Sequence, residues 1–151
     1  MALTLGSDGE KADLSDMVRA ANIIVTVTPS TEALFPSSAV SPGTRLVLVG
    51  SYTPKMREVD DDLVRRAGNI VVDSAEACGI EAGELISAGI GHDQLVEIGT
   101  LVSDSEKAST VGKGGDVVMF KSVSRPDIAR CTAHESGGPW DPGRGNSETC
   151  I

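Results

Sequence analysis

The stretch Ile23-Ile24-Val25-Thr26-Val27-Thr28 decides the fold, because it is a nearly continuous run of β-branched residues. A strand with one solvated face shows alternating apolar and polar residues, whereas a strand buried on both faces does not alternate. The run therefore predicts a central β-strand that is covered on both sides.

Three later segments share this character and predict three more strands: Arg45–Gly50, Ile70–Asp73 and Asp116–Phe120. Amphipathic helical patterns lie between them. Alternating buried strands and helices are typical of right-handed βαβ units around a parallel sheet. The predicted class is α/β, a parallel sheet with flanking helices.

The first helical pattern precedes the first strand. Its apolar positions follow helical spacing and are Leu14, Met17, Val18 and Ala21. Ser7 and Glu10 have the spacing of a capping box that would begin this helix.

The second helical pattern follows an acidic cluster, Glu58 with Asp60–Asp62. Carboxylates stabilise a helix N-terminus, so we expect the cluster to cap this helix; a metal site is the disfavoured alternative because no further ligands lie nearby. The predicted inner face is Leu63, Val64 and Ala67. Gly68 is placed to end the helix.

A third helix is predicted after Ser74, its expected cap, and before Gly89, its expected end. Its apolar face is Cys78, Ala82, Leu85 and Ile86. A further short helix is indicated by Leu95, Ile98 and Leu101.

The glycine-rich segment Gly112–Gly115 superficially resembles a phosphate-binding loop. It precedes a predicted strand and no helix follows it, so a hairpin or a surface turn is the better interpretation.

Composition limits the function classes. The chain has 151 residues, 40% of them hydrophobic, and a net charge of −9. This length fits one domain, and the negative charge disfavours nucleic acid and anionic membranes as partners. No apolar run approaches the roughly 20 residues of a membrane-spanning helix. We expect a soluble, cytoplasmic protein.

Neither the cysteines nor the histidines form a recognisable site. The cysteines are Cys78, Cys131 and Cys150, and they lack metal-ligand spacing. We expect them to be reduced, with Cys78 as a small buried thiol. His92 and His134 lack a nucleophile partner and are expected to be solvated. No metal site is predicted.

The final segment, 124–151, differs in composition from the rest of the chain. It is rich in proline and glycine and has few apolar residues around Trp140. Such a segment buries too little surface to offset its ordering entropy, so a disordered tail is predicted.

In parallel α/β sheets, ligands bind beyond the carboxyl ends of the strands. The loop Thr28–Thr31 offers hydroxyls suited to ribose or phosphate oxygens, although an ordinary turn is favoured for this motif alone. The loop Gly50–Glu58 combines a glycine, the phenol of Tyr52 and two cations, without a complete catalytic set.

Several segments, in order and spacing over residues 12–123, together resemble the ornithine cyclodeaminase and mu-crystallin family. They are Ala21–Ser30, Pro42–Thr44, Val49–Pro54, Arg57–Asp60, Val72–Ser74, Glu81–Leu85 and Phe120–Val123. The resemblance implies a Rossmann-type domain that binds NAD or NADP. It also implies either cyclodeamination of an amino acid or hydride transfer to and from imines of 2-oxo acids.

The resemblance implies cofactor-binding roles for eight residues. Thr28, Pro29 and Ser30 would line the ribose and pyrophosphate side of the cofactor. Gly50, Ser51 and Tyr52 would approach the nicotinamide. Lys121 and Ser122 would close the far wall. Ornithine-deaminating members carry an acid where this chain has Tyr52, which favours the reductase branch.

The sequence also departs from the family pattern. It contains no strand followed by G-x-G-x-x-G/A, the turn that would cradle the pyrophosphate, and Ser124 replaces the glycine after Val123. We therefore expect a member truncated at both ends. Residues 1–123 would form part of the NAD(P)-binding domain and 124–151 a disordered or divergent tail, with little or no turnover by this chain alone.

Two alternatives remain at this point. The chain is a non-catalytic interaction fragment, in which Ile23–Thr28 is an exposed edge that pairs with a partner or a second copy, or it is an incomplete gene model.

Overall fold

The computed structural model describes residues 13–111 and 113–123. Its centre is a five-stranded sheet in the order β1-β2-β5-β3-β4, in which every neighbouring pair is parallel. The strands are β1 Ile23–Thr26, β2 Arg45–Leu48, β3 Ile70–Val72, β4 Leu95–Glu97 and β5 Val118–Lys121. The predicted α/β class and parallel sheet are confirmed.

Short helices connect the strands. They are α1 Leu14–Ala20, α2 Asp61–Arg66, α3 Ala75–Glu81, α4 Gly83–Ala88, α5 Ile98–Ser103 and α6 Ser105–Thr110, with 3₁₀ turns at Ser37–Ala39 and His92–Gln94. Among the described residues, no helix has the length and apolar content to cross a bilayer.

The caps of the central helices agree with the sequence. Asp60 accepts a hydrogen bond from the Leu63 amide at 2.8 Å, and Ser74 accepts one from the Ala77 amide at 3.3 Å. Gly68 and Gly89 have φ values of 65° and 72°, the left-handed conformation that glycine adopts without strain. The predicted starts and ends of these helices are confirmed.

The core lies between the helices and the middle strands. Leu63, Val64 and Ala67 are fully buried, as predicted, and they belong to one cluster with Ile70 and Val72.

The first strand is not covered on both sides. Within residues 13–111 and 113–123, β1 is an edge strand whose one paired neighbour is β2. Ile24 and Thr26 are buried, but Ile23, Val25 and Val27 are 61%, 60% and 67% exposed. The prediction of a central strand is therefore wrong and that of an exposed edge is correct, because burial depends on neighbouring elements that a local pattern does not encode.

The short helix predicted from Leu95 to Leu101 is partly wrong. Leu95–Glu97 is strand β4, paired in parallel with β3, and the helix begins at Ile98. Tertiary pairing overrides the helical spacing of these apolar residues.

The predicted continuous helix from Ser74 to Gly89 is interrupted at Ala82, whose backbone is extended. A Cβ atom at Gly83 would lie 1.9 Å from the Met56 carbonyl oxygen, so the chain turns here to pack closely on another loop. Ile86, assigned to the buried face, is 42% exposed.

Asp13 caps helix α1: its side chain accepts a hydrogen bond from the Ser15 amide at 3.0 Å. Val18 is buried, whereas Leu14 is 38% exposed, so the predicted apolar face is only partly covered. The proposed capping box at Ser7 and Glu10 lies outside the described residues.

The glycine-rich segment before β5 forms an exposed turn over residues 113–116. The hairpin alternative is wrong because β5 runs parallel to both neighbours. Arg66 donates two hydrogen bonds to the Asp116 carboxylate beside this turn, at 2.9 and 3.0 Å.

Several predictions fall outside the described residues and stay predictions. They concern Gly112, Cys131, His134, Trp140, Cys150 and the tail 124–151.

Candidate functional site

The predicted site residues meet at one edge of the sheet. Thr28–Ser30 follow β1, Gly50–Tyr52 follow β2, and Lys121–Ser122 end β5. Because β1, β2 and β5 are adjacent and parallel, these three segments lie side by side at the carboxyl ends of the strands. This is the part of a parallel sheet where ligands bind.

The first loop is anchored to Glu58, which is fully buried. The Thr28 amide and hydroxyl donate hydrogen bonds to Glu58 Oε1 at 2.7 and 3.1 Å. Pro29 is exposed, and the half-buried Ser30 donates its hydroxyl to the Glu32 carbonyl at 2.7 Å. Glu58 therefore anchors the start of the loop, and the loop exposes Pro29 to solvent.

The second loop approaches the first loop closely. The Gly50 amide donates to Glu58 Oε2 at 2.8 Å. A Cβ atom at Gly50 would lie 2.1 Å from the Thr28 nitrogen, so this close approach requires glycine. Ser51 is buried and donates its hydroxyl to Glu84. Tyr52 is 46% exposed.

The third segment is held by two more carboxylates. Lys121 Nζ lies 3.1 Å from Glu84 Oε1, and both side chains are fully buried. The ammonium group of Lys121 therefore points into the protein and not to the surface. Ser122 donates its hydroxyl to Asp73 Oδ2 at 2.6 Å.

Four carboxylates form a row along this edge, one for each adjacent pair of strands. Glu58 joins the ends of β1 and β2, Glu84 joins the β2 loop to β5, and Asp73 joins β3 to Ser122 and Val123 after β5. Glu97, at the end of β4, accepts from the Ala75 amide after β3 at 3.0 Å. We call these residues the carboxylate row.

The sequence did not reveal the carboxylate row. Glu58 was assigned to helix capping, which is wrong: Asp60 caps α2, and Glu58 bonds to the two strand ends. One signal was present for Glu84, because Lys121 falls in the same alternating phase of β5 as the buried Met119. A buried cation requires an acidic partner.

Cys78 lies beneath this edge and is buried, as predicted. Burial, together with the nearby Asp73 carboxylate, raises the pKa of its thiol to about 12. The thiolate is the reactive form, so Cys78 is not a nucleophile at neutral pH.

The other candidates for chemistry are dispersed. His92 is exposed, as predicted. Within residues 13–111 and 113–123, no three His, Cys, Asp or Glu residues are grouped so that they could hold a metal ion.

Comparison with known proteins assigns the chain to a family. The model of the ornithine cyclodeaminase/mu-crystallin family matches residues 11–138, which is most of the sequence. The chain belongs to this family. The resemblance inferred from the sequence segments is thereby confirmed.

Two curated family relatives are similar to the chain. Ketimine reductase mu-crystallin from Mus musculus is 35% identical over 97 residues, which are 64% of this chain and 30% of that protein. Delta(1)-pyrroline-2-carboxylate reductase from Bacillus cereus is 36% identical over 118 residues, 74% of this chain and 35% of that protein. The chain spans about a third of the length of these relatives.

Solved structures show the same fold. The iminosuccinate reductase of Paracoccus denitrificans, solved in complex with NAD⁺, superposes with a TM-score of 0.65 at 28% identity and covers 82% of this chain and 39% of that one. A probable ornithine cyclodeaminase from Bordetella pertussis Tohama I gives a TM-score of 0.62 at 29% identity, covering 73% and 36%.

Proposed function

We propose that the described residues form the nicotinamide half of an NAD(P) site in a reductase of imines of 2-oxo acids. The observation that carries the proposal is the meeting of three polar loops at the carboxyl ends of β1, β2 and β5. Rossmann-type domains consist of two mononucleotide-binding halves. In this proposal the NAD(P)-binding unit ends at residue 123. We also propose that the protein is cytoplasmic.

The site at the carboxyl ends of the strands fits the nicotinamide half of the cofactor better than the phosphate half. The half-buried hydroxyls of Ser30 and Ser122 and the exposed phenol of Tyr52 are uncharged hydrogen-bonding groups. The Lys121 ammonium is buried against Glu84 and offers no contact to a phosphate. We assign Ser30, Tyr52 and Ser122 to direct contact with the cofactor. The loops themselves are held in place by the hydrogen bonds and the ion pair of four other residues: Thr28, Gly50, Ser51 and Lys121. Pro29 shapes the exposed tip.

The reductase assignment is supported by Tyr52 and by the relatives. Tyr52 stands where ornithine-deaminating members are expected to have an acid, and the similar proteins include three reductases of imine substrates. The nicotinamide supplies hydride when bound. The 151 residues contain no glycine-rich strand-to-helix turn for the pyrophosphate, so we expect no turnover by this chain alone.

Titration of the isotope-labelled chain with reduced nicotinamide mononucleotide and with NADH tests the proposal. We expect weak binding of both, with similar affinity and amide shifts at Ser30, Tyr52 and Ser122, because the adenosine half finds no phosphate-binding turn. Micromolar binding of NADH alone contradicts the assignment to one half. Absence of binding by either compound refutes the cofactor site, and oxidation of NADH with a cyclic imine refutes inactivity.

A second function is favoured by the outer edge of β1, which no described strand covers. The Asn22 and Thr26 carbonyls accept hydrogen bonds from the amides of Arg45 and Val49, at the start of β2 and just after its end. Alternation therefore directs the backbone groups of Ile23, Val25 and Val27 to the open side. Their apolar side chains are also exposed. Such an edge is suited to strand addition, and we propose a second copy of the chain as the partner, since two identical β-branched strands can pair across a two-fold axis.

Light scattering as a function of concentration tests this association. Val25→Lys is expected to shift a dimer towards the monomer, because an edge lysine opposes strand pairing. Val102→Lys is the matched control, since Val102 is 85% exposed on α5 and away from β1. A wild-type chain that stays monomeric at high concentration contradicts the proposal, as does equal dissociation by both variants.

A further inference from the structure

The ends of β1 and β2 enclose a group of hydrogen-bond donors that is already occupied by the protein itself. The amides of Thr28 and Gly50 and the hydroxyl of Thr28 converge on the Glu58 carboxylate at 2.7–3.1 Å. Backbone N–H groups that converge on one point can bind an anion. Glu58 is fully buried, so no ligand anion shares this position.

We propose that Glu58 acts as an internal anion that excludes phosphate from the loop pair and restricts it to an uncharged part of a ligand. Glu58 is then a specificity-determining residue, which positions the loops without touching the reacting atoms. That the ligand of the two loops is the nicotinamide part of a cofactor rests on the function proposed above. That the Glu58 carboxylate occupies the donors does not depend on that function.

The geometry explains why the residue is glutamate. A carboxylate has two oxygens that only accept, and here three groups donate hydrogen bonds to them, two of which are backbone N–H groups that cannot accept. The amide of a glutamine would place an NH₂ group against one of the two backbone N–H groups. The close contact of Gly50 with Thr28 keeps both amides directed at the same carboxylate.

The proposal predicts that removing Glu58 uncovers an anion site. In Glu58→Ala, inorganic phosphate is expected to produce saturable amide shifts at Thr28 and Gly50 and to raise the melting temperature. The wild type is expected to show neither response. Asp116→Ala is the matched control, because it removes one negative charge at the opposite ends of the strands without freeing these amides.

Each outcome bears on the proposal. A folded Glu58→Ala protein without a phosphate response overturns it, and so does a localised response in the wild type or in Asp116→Ala. If Glu58→Ala does not fold, Glu58→Gln is used: hydrogen exchange at Thr28 or Gly50 is expected to accelerate at least about tenfold while Arg66 and Asp116 stay bonded. Unchanged exchange at both amides overturns the proposal. The phosphate titration does not use a nicotinamide compound. A failure of the proposed cofactor binding can therefore be distinguished from a failure of this proposal.

Discussion

Strands β1 and β3 have similar sequences and opposite environments. β1 begins Ile-Ile-Val and β3 is Ile-Val-Val, yet all three residues of β3 are buried while Ile23 and Val25 in β1 are largely exposed. In the part of the chain that the structure describes, β3 pairs with strands on both edges, whereas β1 pairs only with β2. We call β3 and its neighbour β5 the covered flank and β1 the open flank.

The difference teaches that apolar composition does not by itself stabilise this fold. Apolar area contributes to the free energy of unfolding only when it is removed from water. The covered flank should therefore carry most of the stability. The open flank should contribute little until another polypeptide covers it.

The largest effect is expected at the buried ion pair in the covered flank. Lys121→Met leaves the Glu84 charge buried without its partner and should lower the free energy of unfolding by about 3–5 kcal/mol. Urea denaturation measures the change. Lys113→Met, at an exposed position before β5, is the control and should be nearly neutral. A loss below about 1 kcal/mol would show that the pair is hydrated in solution.

A smaller effect is expected from Val72→Ala in β3. Val72 is fully buried, so the loss of apolar contact and the resulting cavity should cost about 2 kcal/mol. The same urea experiment measures it. A negligible change would mean that the covered flank is not closely packed.

Alkaline pH should lower the free energy of unfolding through Cys78, which lies in α3 and whose thiol contacts the end of β5 in the covered flank. Its folded pKa is about 12 against an ordinary value of 9.0, so above pH 9 the unfolded chain releases the thiol proton while the folded chain retains it. Stability is then lost as the pH rises from 9 towards 12, by about 1 kcal/mol at pH 10. The difference in unfolding free energy between wild type and Cys78→Ala should change by this amount from pH 8 to pH 10. A constant difference would show that the thiol ionises normally in the folded state.

The smallest effect is expected from Val25→Ala, which repeats the Val72 substitution on the open flank. Val25 is 60% exposed, so the change should stay within about 0.5 kcal/mol at low protein concentration. If the cost instead approaches that of Val72→Ala and grows with concentration, a second copy covers β1 in solution.

Much of the fold was predictable because its signals are local. Asp60, Ser74, Gly68 and Gly89 act within one turn of the helix ends that they begin or terminate. The parallel arrangement followed from the alternation of strands and helices. Strand β4 and the break at Ala82 were missed because distant partners, β3 and Met56, cause them.

The candidate site divides in the same way. Its place at the strand ends followed from the rule for parallel sheets, and the structure brings the loops of Thr28, Gly50 and Ser122 to that edge. The carboxylate row was not predicted, because the contacts by which it joins the strand ends link residues 8–50 positions apart in sequence.

The sequence alone determined the class of fold, the family, the caps at Asp60 and Ser74 and the glycine stops at Gly68 and Gly89, since residue types and spacings encode these features locally. The tertiary structure alone decided which β-branched strand is buried, that Lys121 faces inward, and that Glu58 occupies the donors at the ends of β1 and β2. The physical reason is that burial and hydrogen-bond partnership depend on which segments become neighbours, and strand order is a property of the whole chain.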